Sequence, residues 1–275
     1  ISITKFSSHI GRFGMTEPIT YLFVPGDRPD RFGKALTSGA DRIIIDLEDS
    51  VLADHKMAAR DAIAAAALDW QNVIVRINPV DTVHFEFDMS LLRSVPVRMV
   101  MLPKTESSDM ISRVNRSLDK KCAMLPQIET VKSLFALQDI LHADRVDRVA
   151  FGHLDFALDL GSSTDKDSLL YARSQIGHHS RYAEKPAPID SVTAEFRDTD
   201  TVSAEAKAAK NLGFGGKLII HPAQDLPVKK GFAPSPADIA WAKSVVQIIE
   251  KSGSGALAAD GSMIATPVEI RACHI

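Results

Sequence analysis

Eight short apolar runs recur along this chain at a beat of about 25 to 40 residues, and that rhythm leaves few folds open. They are Tyr21-Leu22-Phe23-Val24, Ile43-Ile44-Ile45, Val73-Ile74-Val75, Met99-Val100-Met101-Leu102, Ala123-Met124-Leu125, Arg148-Val149-Ala150-Phe151, Ile189 to Val192, and Leu218-Ile219-Ile220. Most are separated by stretches with helical spacing, among them Lys56 to Leu68, Val131 to Leu141, Leu169 to Arg181 and Val202 to Leu212. Parallel neighbours need crossover helices, so strand–helix alternation predicts a parallel sheet. Eight repeats fit a closed (β/α)8 TIM barrel better than an open doubly wound sheet. After the eighth run, Pro234-Ser235-Pro236 opens a further helix, Ala237 to Lys251, followed by a Gly- and Ala-rich tail. No Pro/Gly/Ser linker separates two cores. The expectation is an N-terminal extension over 1–18 and one α/β barrel domain over 19–275, C-terminal helix and tail included.

Composition narrows the partners. With 45% hydrophobic and 24% charged residues, the 275-residue chain has globular rather than disordered or fibrous character. A net charge of −3 supplies no electrostatic footprint for nucleic acid, and no apolar stretch approaches the roughly 18 residues that span a bilayer. Cys122 and Cys273 make no metal-ligand spacing. These features predict a cytoplasmic protein with a small-molecule partner.

In such a barrel, function is read at the C-terminal ends of the strands. The second run ends in Asp46-Leu47-Glu48-Asp49, the third in Arg76-Ile77-Asn78-Pro79, the fourth in Pro103-Lys104-Thr105-Glu106. The fifth gives Gln127-Ile128-Glu129-Thr130, the sixth Gly152-His153-Leu154-Asp155, the seventh is flanked by Asp190, and the eighth ends in His221-Pro222. Each has a structural reading. Asp46 and Glu48 alternate along a strand, Asp49 or Ser50 suits a helix cap, Glu129 a first helical turn, Asp155 an N-cap, Lys104 a solvated loop and His221 a hydrogen-bonded structural role. Arg76 differs, because an unpaired cation inside an apolar strand costs several kcal/mol; it requires a carboxylate from protein or ligand. Gly26 and Gly213-Phe214-Gly215-Gly216 are turn residues that match no nucleotide fingerprint. Six polar strand ends in one chain argue jointly for a site.

At these positions the sequence resembles the citrate lyase β-subunit-like (CitE-like) branch of the HpcH/HpaI aldolase family. The segments that carry the likeness are Phe23-Val24-Pro25-Gly26-Asp27-Arg28-Pro29, Asp46 to Asp49, Val75 to Asn78, Leu102 to Glu106, Pro126 to Thr130, Phe151 to Asp155 with Asp159-Leu160-Gly161, Tyr171 to Ser174, and Gly216 to Pro222. The resemblance implies a Mg2+-dependent barrel that cleaves or forms hydroxy-acyl-CoA thioesters such as citryl-, malyl- or citramalyl-CoA. It makes Glu129 and Asp155 the metal ligands, Arg76 the substrate-polarising cation, and Arg28, Arg31 and Lys34 the contacts to CoA phosphates, and it puts Glu48 and Asp49 close to the metal waters, which makes Asp49 or Glu48 our candidate for the base. It also implies a homo-oligomer, trimer or hexamer. Two alternatives stay open: a metal-dependent aldolase acting on free 2-keto or hydroxy acids, and a lyase-complex subunit that needs an acyl-carrier partner. Near the C-terminus, where many relatives carry an aspartate after Gly-Ser-Met-Ile, this chain has Ala265, with Asp260 the nearest carboxylate in sequence.

Overall fold

The computed structural model describes residues 17–118, 120–252, 257–259, 262–264, 266–273 and 275. Eight parallel strands close into a barrel in chain order: β1 (Thr20–Pro25), β2 (Arg42–Asp46), β3 (Val73–Arg76), β4 (Met99–Leu102), β5 (Ala123–Ile128), β6 (Ala150–Phe151), β7 (Ile189–Asp190) and β8 (Gly216–Ile219). β8 pairs back onto β1 through Tyr21 and Leu218, which completes the expected architecture. The sixth and seventh strands are shorter than the apolar runs suggest. Arg148 lies outside β6; its guanidinium donates to Tyr21 Oη at 2.8 Å and through Nε to the Ala187 carbonyl at 2.9 Å. Ser191 and Val192 fall beyond β7, and Ile220 beyond β8.

Side chains alternate across each strand with period two, and the barrel uses that alternation consistently. Tyr21, Ile44, Ile74, Met101, Leu125, Ala150, Ile189 and Leu218, one from each strand and none more than 3% exposed, fill the interior. Their neighbours Leu22, Ile43, Ile45, Val73, Val75, Val100 and Leu102 face outward against the helices. Moving two residues toward the C-terminal end from that interior layer leads to Asp46 on β2, Arg76 on β3, Gln127 on β5 and Gly152 after β6. The mouth is therefore lined by polar groups.

The helices differ from expectation mainly at their ends. Lys56–Ala65 stops three residues early, Val131–Phe135 and Leu137–His142 replace one continuous helix, and Leu170–Tyr182 and Thr199–Asn211 are each slightly shifted. Phe85–Ser94, Ser108–Ser117, His153–Leu160 and Asp225–Phe232 are additional.

The chain forms two compact units, the first running to Phe232 and the second covering Ala233–Ile275. The second holds the helices Pro236–Ser252 and Thr266–Cys273 and an antiparallel pair, Leu257–Ala259 with Ser262–Ile264. It has a small apolar cluster of Ala242, Val245 and Ala272. Among the described residues no helix is long and apolar enough to cross a membrane.

Candidate active site at the barrel mouth

The register of β2 on β3 sets Asp46 opposite Arg76. Arg76 Nε and Nη2 donate to the two Asp46 carboxylate oxygens, both at 2.7 Å, and the guanidinium lies over the Phe23 ring, 4.6 Å from its centre. The carboxylate that Arg76 requires is thus a protein residue. Burial pushes the Asp46 carboxyl up, but Arg76 outweighs it and holds the group below the usual range. Asp46 also accepts from the backbone N–H groups of Glu48 and Ser50, which folds the following loop back over the strand end. Asp49 and Ser50 cap no helix; a short 3-10 turn, Ala53–His55, with Leu52 at its N-cap, precedes the α-helix that begins at Lys56.

Only the third nitrogen of Arg76 turns toward the mouth. Nη1 stands 3.1 Å from Glu48 Oε2, without hydrogen-bond geometry, and 3.7 Å from Asp49 Oδ2. Glu48 is buried and Asp49 exposed. Glu48 Oε1 accepts from Lys104 Nζ at 2.6 Å, and the same ammonium lies 3.7 Å from Asp155 Oδ2. The backbone N–H of Lys104 donates to Glu129 Oε1 at 2.6 Å. Lys104 holds a positive φ of 47°, a strained conformation for a residue with a side chain. Arg76 thus meets Glu48 and Asp49, and Lys104 meets Glu48, Glu129 and Asp155, so that Glu48 links the two sets into one cluster.

Glu129 is wholly buried, and its Oε2 has no hydrogen-bond partner. Burial, reinforced by the charge of Glu48, pushes its carboxyl up to about 8, against the pull of Lys104 and Arg76. It takes no part in capping. Thr130 caps the Val131–Phe135 helix in a reciprocal capping box with Ser133. Asp155 likewise sits in the first turn of His153–Leu160, whose N-cap is Gly152. A methyl group on Gly152 would stand 2.5 Å from Glu129 Oε2 and 2.7 Å from Gln127 Nε2, so glycine there keeps the carboxylate edge open.

Four buried side-chain oxygens of the described residues lack a hydrogen-bond partner, and three of them, Glu48 Oε2, Gln127 Oε1 and Glu129 Oε2, are at this mouth. Such atoms are uncommon in folded proteins, and their concentration at one place marks where a ligand would satisfy them. No group of three or more His, Cys, Asp or Glu residues suited to a metal occurs among the described residues. Glu129 and Asp155 offer only carboxylate oxygens, the donor chemistry that suits Mg2+, which needs few protein ligands because it keeps several waters.

Among the described residues no hydrogen bond or salt bridge joins Arg28, Arg31 or Lys34 to the cluster. They follow β1, in the Pro29–Arg31 turn and the Phe32–Leu36 helix, and are exposed. Arg28 donates twice to Asp30 at 3.0 Å, while Arg31 and Lys34 form no salt bridge among the described residues. His221 has its structural role: Nδ1 accepts from the Ala223 backbone, and the ring stacks on Phe196 at 4.5 Å. Arg173 is committed to Asp190, which also pairs with buried Lys217. Asp46 and Lys104, which the sequence reading took as a strand-end and a loop residue, and Gln127 and Gly152, named there only within the polar strand ends, are further features of the site. Ala265 and Asp260 lie outside the described residues.

Residues 20–222, which contain every strand of the barrel and the whole carboxylate cluster, match the HpcH/HpaI aldolase/citrate lyase family. The citrate lyase subunit beta-like protein of Deinococcus radiodurans is 33% identical, with 91% of this chain and 93% of that protein aligned. The mitochondrial citramalyl-CoA lyase of Rattus norvegicus is 30% identical over 92% of this chain and 83% of its own length. The crystal structure of CitE from Mycobacterium tuberculosis in complex with magnesium, acetoacetate and coenzyme A superposes with a TM-score of 0.86 at 31% identity, covering 94% of this chain and 97% of the other. A closed barrel with its polar cluster at the strand ends, matched across its whole length, places this chain in the HpcH/HpaI aldolase/citrate lyase family.

Proposed function

We propose that this chain is a Mg2+-dependent carbon–carbon lyase that cleaves, or in reverse forms, a hydroxy-acyl-CoA thioester of the citryl-, malyl- or citramalyl-CoA kind. The observation that carries the reading is the buried Glu129 carboxylate, whose Oε2 has no hydrogen-bond partner; Lys104 holds it through its backbone N–H and places its ammonium 3.7 Å from Asp155. Glu129 and Asp155 would hold the cation, which when bound acts as a Lewis acid toward the oxygens of a hydroxy acid. The relatives' names, a citramalyl-CoA lyase and a CitE crystallised with magnesium, acetoacetate and coenzyme A, support the substrate class.

The protein's own groups supply the rest. Arg76 is fixed by its two bonds to Asp46, so Nη1 is a preorganised donor for oxygen charge that develops as the bond breaks. Asp49, exposed and 3.7 Å from that nitrogen, or Glu48 behind it, takes the substrate hydroxyl proton. The O–H electrons become the new carbonyl, the adjacent carbon–carbon bond breaks, and its electron pair passes into the thioester as an enolate. Protonation of the enolate carbon releases the acyl-CoA. Arg28, Arg31 and Lys34 carry the positive charge suited to CoA phosphates. The test is turnover of citryl-, malyl- and citramalyl-CoA by the purified chain with Mg2+ and with EDTA, beside the matching free acids. Metal-dependent thioester cleavage is the expected result. Turnover of the free acids at the same rate would favour an aldolase instead.

A further inference from the structure

Lys104 is placed to do more than neutralise one carboxylate. Its ammonium lies 2.6 Å from Glu48 and 3.7 Å from Asp155, and its backbone N–H holds Glu129 at 2.6 Å. Arg76, the other cation at the mouth, is tied by two of its nitrogens to Asp46 and so cannot follow a change in charge. Lys104 can: its side chain is 34% exposed and rides on a flexible four-carbon stem. Around it, Glu129 Oε2 has no hydrogen-bond partner, and Glu48 Oε2 has only the Arg76 charge at 3.1 Å, without a hydrogen bond.

From this arrangement we infer that Lys104 is an internal counterion that stands in for the metal, holding the carboxylates together in the metal-free chain and yielding its place when a divalent cation binds. The inference rests on the reading that Glu129 and Asp155 take the cation. Two roles are separable within one residue. The backbone N–H positions Glu129 whatever the side chain, while the ammonium competes by like-charge repulsion with any cation bound to Asp155. The positive φ belongs to the backbone role, since it turns this N–H toward Glu129.

The experiment is Mg2+ titration by calorimetry, with thermal melts in EDTA and in saturating Mg2+, on wild type, Lys104→Met and Lys104→Gly. Methionine keeps the stem and the strained backbone but removes the charge; glycine removes charge and strain together. Both variants should bind Mg2+ about tenfold more tightly than wild type, the change that relief of 1.4 kcal/mol of like-charge repulsion gives. Lys104→Met should melt below wild type in EDTA and close to it in Mg2+. Unchanged or weaker Mg2+ binding in both variants, with wild type still binding, would overturn the counterion role and leave the metal assignment standing. No Mg2+ binding by wild type or either variant would overturn the metal assignment, and this inference with it.

Discussion

Arg76 and Gly152 show how much of the site is decided by single residues. In Arg76→Lys the charge survives, but one ammonium cannot bind both oxygens of Asp46 and still present a donor toward Glu48 and Asp49. The expected outcome is a fall in kcat/KM on the order of 10²-fold in a protein that still folds, measured by steady-state kinetics and circular dichroism. Wild-type kinetics in the variant would make the arginine purely structural. Gly152→Ala tests the opposite face. Its new methyl group would sit 2.5 Å from Glu129 Oε2 and 2.8 Å from Glu129 Cβ, so the carboxylate must turn. Mg2+ affinity should drop about 10- to 100-fold, the usual cost of disturbing a ligand's support, with little change in the far-ultraviolet spectrum. The need of Arg76 for a carboxylate was legible in the sequence because a lone cation in an apolar strand is too costly. That Asp46 answers it was not, because the answer depends on the pairing of Asp46 with Arg76 across β2 and β3. Gly152 was unreadable for the same reason: its constraint comes from Glu129, just beyond the end of the neighbouring strand β5.

Among the elements, the strands were the more legible class. Each buried strand is an apolar run with polar ends, and that contrast survives in one dimension. The missed helices are those whose pattern is weak or masked. Ser108–Ser117 buries only Ile111 and Val114, and His153–Leu160 opens with the polar strand-end residues themselves. Phe85–Ser94 buries Phe85, Met89 and Leu92 at helical spacing, but charged residues interrupt the run. One contact between elements yields a test. Asp41, just before β2, accepts from the Ile19 and Thr20 backbone N–H groups at 2.8 and 3.0 Å and pairs with Lys229 of the Asp225–Phe232 helix at 3.1 Å. It therefore ties the start of β1 to the helix that follows β8. Burial pushes the Asp41 carboxyl up, but the backbone N–H donors and Lys229 outweigh it and hold the group below its usual range. A depressed carboxyl contributes stability that is complete above the unfolded pKa of about 4 and is lost as pH falls below it. Asp41→Asn should cost about 2 kcal/mol at pH 7, in line with hydrogen bonds to a charged group. The gap between variant and wild type should narrow in denaturant melts taken below about pH 4. A gap independent of pH would show that the carboxylate charge does not matter there.

At the scale of the whole molecule, the closed barrel collects groups from strands far apart in sequence into one mouth, and a ligand at that mouth should be felt as stability of the fold. Eight apolar runs were enough to announce the barrel; which polar ends meet follows from closure and from the inward parity of each strand, neither of which a linear pattern carries. A cation that binds only the folded chain stabilises it by about 2.7 kcal/mol at one hundred times its dissociation constant. For a protein of this size that corresponds to a rise in Tm of at least about 5 °C. Glu129→Gln should abolish the rise. It should do so without weakening the metal-free fold at pH 7, because burial already pushes the Glu129 carboxyl up to about 8 and keeps it largely protonated there. A carboxyl raised in the folded state makes the chain lose stability as pH climbs from the ordinary carboxylate range through about 8. In EDTA, wild type should therefore fall relative to Glu129→Gln between pH 6 and pH 9, and in saturating Mg2+ that order should reverse. Melts of both proteins across that range, with and without the metal, decide the matter. A Mg2+-dependent rise that survives in Glu129→Gln would remove this residue from the metal site and require another ligand in its place.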